Sequence, residues 1–313
     1  DTVIAAAETI RAASADLVVT VGGGTAIDTV KAALICLAED IRSADALGEY
    51  RIQVGGDGSR HVPTVGAMSV RQIVVPTTLS GAEFSNLAGV TDPARGIKDG
   101  YTSRDCCPVA VILDPAFTVH TPEWLWLSTA IRSVDHAVET ICSRSPQVLA
   151  DATAVHALGM FADALPKIKE RPDDLDARLD AQLAVWLATM GLNRVEYGAS
   201  HGIGHQLGAV AGVPHGYCSC VMLPSVLRYN EPVNADRQAI VSEALGRPDD
   251  RAADAVHDLV EELGLPTRLQ DVGVERSQLD RIAQGSLDNF MTRSNPRPLR
   301  SAEQIREILE MAW

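Results

Sequence analysis

The sequence has no Cys-x-x-Cys pair. Its six cysteines, Cys36, Cys106, Cys107, Cys142, Cys218 and Cys220, are irregularly spaced. That removes a zinc ribbon or a thioredoxin-type motif and suits reduced thiols, so a cytoplasmic protein is expected. Aromatic residues make up only 4% of the chain, too few for a ladder of stacking platforms on single-stranded nucleic acid. Basic residues are also short: 27 against 41 acidic ones, a formal net charge of −14. Phosphate-rich partners need clustered Lys and Arg, so neither nucleic acid nor an anionic membrane is expected. No apolar run reads as long enough to span a bilayer, and the first residues lack a signal-peptide layout. The chain opens without Met, directly in a helical pattern, as if partway through a domain.

What is present reads as globular, with 46% hydrophobic and 22% charged residues. A length of 313 residues suits two ordinary domains or one large α/β domain. "TVIAAAETIRAA" has helical spacing. "DLVVTV" at 16–21, "RQIVVP" at 71–76 and "VAVILDP" at 109–115 are short apolar runs of the kind found in buried parallel strands. "AIDTVKAALICLA" returns to helical periodicity, and "GEYRIQVGGDGSR" reads as a loop or hairpin. After Asp114-Pro115 only helices and breakers follow, beginning with Thr121 as N-cap and Pro122 at the first helical position. The expected architecture is α/β plus all-α, an α/β domain over 1–117 and an all-helical domain over 118–313, with no internal repeat.

Two strand ends carry candidate binding chemistry. "VVTVGGGTAIDTVKAA" is a strand, a glycine-rich turn and a helix. Gly22, Gly23, Gly24 and Thr25 could cradle a pyrophosphate, because glycine admits close approach and a helix N-terminus favours an anion. Many α/β proteins need glycine there only for the turn. The second segment, "VVPTTLSGAEFS", offers Thr77, Thr78 and Ser80 as hydroxyl donors where another strand ends, and ligands of open α/β sheets sit beyond such ends.

The third feature is "HGIGHQLGAVAGVPH". His201 and His205 are four residues apart on one helical face, and a Gly-Pro turn returns His215. His136, in "TAIRSVDHAVE", is a fourth candidate. Isolated histidines such as His156 and His257 read as ordinary surface or core residues. Three at this spacing point to metal binding or proton transfer.

The segments "VGGGTAIDTVKAA", "VVPTTLSGAE", "VILDP", "DHAVE" and "HGIGHQLGAVAGVPHGYCSCVMLPSVLRYN", in this order over nearly the whole chain, resemble the iron-containing (group III) alcohol dehydrogenases. The resemblance implies a Rossmann-like dinucleotide domain, its N-terminal part missing, followed by a helical catalytic domain. It implies NAD or NADP, a small-molecule carbonyl or alcohol substrate, and a homodimer. It also assigns residues. Gly22, Gly23, Gly24 and Thr25 would meet the pyrophosphate, with Asp28 shaping the turn. Thr77, Thr78 and Leu79 would line the adenosine and nicotinamide side, and Lys98 would reach the nucleotide. His205 would sit by the nicotinamide, while His136, His201 and His215 would occupy three of four metal-ligand positions, for iron or zinc.

The fourth position departs from the family. An Asp is usual four residues before the helix histidine, and Arg132 stands there. A guanidinium stays protonated, cannot ligate a cation and repels one, which argues against a metal. Asp135 lies about 100° around the helix from His136 and is a poor substitute. The nearest branch by resemblance is the maleylacetate reductases, which also lack that Asp. No acid stands four residues either side of Arg132, so its expected partner is a substrate carboxylate or an acid from elsewhere in the fold. The expected reaction is hydride transfer to or from a carbonyl carbon, helped by His201, His205, His215, His136 and Arg132. The alternatives are a metal-dependent alcohol dehydrogenase acting on simple alcohols, a lyase of the dehydroquinate synthase type, and a non-catalytic nucleotide-binding relative.

Overall fold

The structure is a computed structural model that describes residues 1–55, 60–92, 95 and 97–313. The chain divides into two compact units, Asp1–Thr118 and Val119–Trp313.

The first unit is built from helices α1 (Thr2–Ala12), α2 (Gly24–Ala38), α3 (Ala44–Gly48) and α4 (Pro115–Thr118). Its strands are β1 (Leu17–Gly22), β2 (Gln53–Val54), β3 (Arg60–His61), β4 (Arg71–Pro76), β5 (Leu87–Asp92), β6 (Ile97–Thr102) and β7 (Ala110–Val111). The central sheet is parallel, in the order β1-β4-β7. β1 and β4 pair from Leu17↔Arg71 to Gly22↔Pro76, so they end level. The turns leaving both strands therefore emerge at the same sheet edge. Ala32, Ala33, Leu34, Ile35 and Cys36 of α2 join Val3 and Ala7 of α1 in the core beside this sheet.

Two readings of this unit are corrected. The strand expected over 109–115 shrinks to Ala110–Val111, because Pro115 already opens a helix. The antiparallel hairpin β5-β6 adds strands that the sequence pattern does not mark, since Gly89, Asp99 and Gly100 blur the alternation of a strand. The segment from Gly48 to Arg60 does enter an antiparallel pair, Gln53↔His61 and Val54↔Arg60, which ends one residue beyond it; its residues 56–59 lie outside the described residues.

The second unit is helical among its described residues. It comprises α5 (Glu123–Ile141), α6 (Val148–Glu170), α7 (Leu175–Ala188), α8 (Ala199–Ala211), α9 (His215–Ala244), α10 (Ala252–Glu262), α11 (Leu279–Leu287), α12 (Phe290–Arg293) and α13 (Ala302–Met311). Pro122 stands at the cap of α5, one place earlier than expected. The stretch expected to be helical over 175–210 breaks after Gly191 and resumes at Ala199. α8 stops at Gly212, whose φ of +67° is the left-handed cap that glycine adopts without strain, and this lets α9 start at His215. α9 breaks again at Asn234. Ile203, Leu207, Val221, Met222, Ile282, Ile305 and Ile308 form the core where α8, α9, α11 and α13 meet.

One helix qualifies the expectation that no span could cross a membrane. α6 is long and apolar enough by length and composition. Its buried residues Ala150, Ala154, Ala157, Leu158, Phe161, Ala164, Leu165 and Ile168 follow helical spacing, the pattern of a helix with one face in a protein core.

α5 is the element that matters most. Every residue from Trp126 to Ile141 is buried, as in a helix at the centre of a core. Yet Arg132, Asp135, His136 and Glu139 lie within that buried run. Burying four such groups is costly unless they satisfy one another.

Candidate active site

In the first unit the two strand-end turns meet. The Thr77 N–H donates to the Gly22 carbonyl at 3.0 Å. A Cβ at Gly23 would lie 2.8 Å from Thr78 Cγ2, and one at Gly24 would lie 2.9 Å from Ser80 Oγ. Glycine is thus required by close approach. Gly23 is the N-cap of α2 and, having no side chain, supplies no cap hydrogen bond to the helix's first N–H groups. The buried hydroxyls Thr78 Oγ1 and Ser80 Oγ have no hydrogen-bond partner. A glycine cradle, an uncapped helix N-terminus and two orphan hydroxyls fit a phosphate group of a dinucleotide.

The other residues expected here divide. Thr25 is exposed in the first turn of α2. Leu79 has a fully buried side chain and belongs to the core. Asp28 does not shape the glycine turn: its Oδ2 accepts the Gly89 N–H of β5 at 3.0 Å, and its Oδ1 lies 3.6 Å from Lys31 Nζ. Lys98 is exposed on β6, with its stem over Gly89, where a Cβ would lie 2.3 Å from Lys98 Cε.

Two residues beneath the turn were missed. Lys31 is fully buried and donates to the carbonyls of Ala82 at 2.6 Å and Leu87 at 2.9 Å. It ties the turn after β4 to β5. Burial lowers its pKa, with Asp28 and Glu83 opposing. Burial also raises the Glu83 carboxyl to about 7. The available signal was a lysine on the apolar face of α2, four residues after the buried Ile27.

In the second unit the histidines form two pairs. His201 Nε2 lies 3.1 Å from His136 Nδ1, both residues buried. His205 and His215 stack with ring centroids 6.1 Å apart, and His215 is exposed. Asn289 Nδ2 lies 3.3 Å from His205 Nδ1. Tyr197 leans on the buried pair, its ring centroid 4.6 Å from that of His201 and 5.5 Å from that of His136. Burial holds His136 and His201 well below the ordinary imidazole range.

Glu139 organises this site. Its carboxylate accepts the Gly198 and Ser200 N–H groups, both at 3.0 Å, and pairs with His201 Nδ1 at 2.7 Å. A side chain from α5 thereby caps α8 and orients the histidine in its first turn. Burial raises the Glu139 carboxyl to about 7. Although it ends the segment "DHAVE", its role depends on where α8 begins.

The expectation for Arg132 needs correction. An acid does share its face: Asp135, three residues on, with Nη1 3.6 Å from Oδ2. Arg132 Nη1 also donates to Ser219 Oγ at 3.1 Å. Asp135 Oδ2 accepts from Ser200 Oγ at 2.7 Å and Ser219 Oγ at 2.6 Å. Arg132 Nε and Asp135 Oδ1 are buried without partners.

These distances test a divalent metal. Asp135, Glu139 and His201 bring potential ligand atoms within 4.8 Å of one another. However, Glu139 already accepts three N–H or ring contacts, Asp135 Oδ2 accepts two hydroxyls, and His201 Nδ1 is held by Glu139. A guanidinium stands 3.6 Å from the carboxylate. His215, one of the expected ligands, is absent from that group and stacks on His205 instead. The residues present do not fit a dication.

Comparison with known proteins matches residues 1–115 to the iron-containing alcohol dehydrogenase family model and residues 127–313 to that of the C-terminal part of the Fe-containing alcohol dehydrogenase family. The chain belongs to the iron-containing alcohol dehydrogenase family. Members of this family are oxidoreductases that use NAD(P) and typically a metal. The chain is 32% identical to dehydrogenase ALT3 of Alternaria alternata, covering 98% of this chain and 86% of the relative. The crystal structure of a 1,3-propanediol oxidoreductase superposes with a TM-score of 0.88 at 27% identity, covering 99% of this chain and 80% of that one. The maleylacetate reductase of Agrobacterium tumefaciens gives 0.80 at 27% identity, covering 99% and 78%. Both the α/β and the helical parts of this family's fold are present here.

Proposed function

We propose that the chain is a NAD(P)-dependent oxidoreductase that interconverts an alcohol and a carbonyl, with a carboxylate-bearing ketone as its substrate. The observation that carries the cofactor is the pair of orphan hydroxyls, Thr78 Oγ1 and Ser80 Oγ, set against Gly23 and Gly24 at an uncapped helix start. A bound nicotinamide dinucleotide supplies or accepts the hydride. Gly22, Gly23, Gly24 and Thr25 hold its phosphates. Thr77, Thr78 and Lys98 add polar contacts.

The half-buried His205 and the exposed His215 hold or move the proton, whereas His136 and His201, kept neutral by burial, fix the geometry behind them. The substrate class is supported by the likeness to maleylacetate reductases and by the Arg132 Nε–H, which has no partner although Nη1 of the same guanidinium faces Asp135 and Ser219. The reading further includes a cytoplasmic location, in keeping with six free cysteines, and a homodimer, as the family resemblance implies.

Thr78→Val combined with Ser80→Ala tests the cofactor site. Removing buried hydroxyls that have no partner leaves stability unchanged or raised. Binding of NADH or NADPH, titrated by nicotinamide fluorescence, is expected to weaken by roughly tenfold or more as phosphate contacts are lost. Unchanged affinity for both dinucleotides would sink the assignment.

A further inference from the structure

We propose that the Arg132–Asp135 ion pair takes the place of a divalent metal in the histidine site, so that this chain works without one. The family's name carries a metal, and the local chemistry here disagrees with it. Arg132 is a fixed monocation only 4% exposed, at the sequence position from which a ligand would point. Its guanidinium lies 3.6 Å from Asp135 Oδ2 and donates to Ser219 Oγ. Asp135 also collects the Ser200 and Ser219 hydroxyls. Ser200 is the residue beside His201, and its N–H is held by Glu139. The result is one continuous network from α5 through α8 to α9 in which a permanent positive charge is already balanced by a carboxylate.

A dication would have to displace that arrangement. At about 5 Å from a guanidinium, in a medium of effective dielectric about 20, its binding is weakened on the order of 10⁵-fold. The single unpartnered carboxylate oxygen, Asp135 Oδ1, does not make a coordination shell. The inference concerns the histidine site alone and does not depend on the cofactor or the substrate class.

The test is metal content. Purified protein is incubated with zinc or with ferrous iron, dialysed, and measured by elemental analysis. Wild type is expected to retain below about 0.1 metal per chain, and Arg132→Asp, which restores a carboxylate four residues before His136, about one. That metal should be lost again in Arg132→Asp/His201→Ala. Circular dichroism checks that Arg132→Asp is folded; if it is not, Arg132→Asn removes the charge with a neutral side chain and should bind more metal than wild type.

About one metal per wild-type chain, lost in His136→Ala or His201→Ala, overturns the proposal. So does a folded Arg132→Asp or Arg132→Asn protein that takes up no more metal than wild type. A metal-bearing wild type that still binds dinucleotide through Thr78 and Ser80 would overturn this inference and leave the oxidoreductase reading standing.

Discussion

Glu139→Ala should be among the most damaging single substitutions in the second unit. The side chain is 6% exposed and satisfies Gly198 N–H, Ser200 N–H and His201 Nδ1. Stranding three buried groups at about 1–3 kcal/mol each gives a gross loss of about 6 kcal/mol. The variant recovers part of this at high pH, because the ionised carboxyl is itself poorly solvated. The rise from the ordinary 4.5 to about 7 corresponds to about 3 kcal/mol. The folded value lies above the unfolded one, so that stabilisation is fully present below pH 4.5 and is lost as pH rises through 7. The expected net loss is therefore about 3 kcal/mol at pH 8 and about 6 kcal/mol near pH 4.5. Urea unfolding followed by far-UV circular dichroism at both pH values measures it. Glu139→Gln, which keeps one acceptor oxygen, should lose about half as much. If Glu139→Ala costs less than about 1 kcal/mol at both pH values, Glu139 does not hold α8 and His201 in place.

Glu83→Gln should flatten the pH dependence of stability between about 4.5 and 7. The wild-type carboxyl is raised to about 7 and loses about 3 kcal/mol of stabilisation across that window as pH rises; equal slopes of Tm against pH in the two proteins would contradict this. Gly202→Ala should cost about 3 kcal/mol, because the added Cβ would lie 2.1 Å from Thr292 Oγ1 and 2.8 Å from the Thr292 backbone nitrogen. Gly204→Ala, whose Cβ meets only Cys218 Cβ at 3.2 Å, should cost less, and the reverse order in denaturant titrations would refute the packing argument.

Element types were legible in the chain wherever one local pattern was strong. The β-branched runs at Leu17–Gly22 and Arg71–Pro76, the glycine turn at Gly22–Gly24 and the alanine-rich helices are written in neighbouring residues, because periodicity and turn chemistry are local. The hairpin Leu87–Thr102 was not legible, because its strands hold together by register across the pair, while their glycines and aspartates erase the local signal.

The site followed the same division. Four histidines and Arg132 could be picked out from spacing. Only the fold decided that His201 pairs with His136 while His215 stacks on His205. It also decided that Asp135 serves Ser200 and Ser219, 65 and 84 residues away. Lys31 and Glu139 were silent for the same reason: their partners are backbone groups of distant segments, and a backbone N–H or carbonyl carries no sequence signature until tertiary packing puts it within reach of a buried charge.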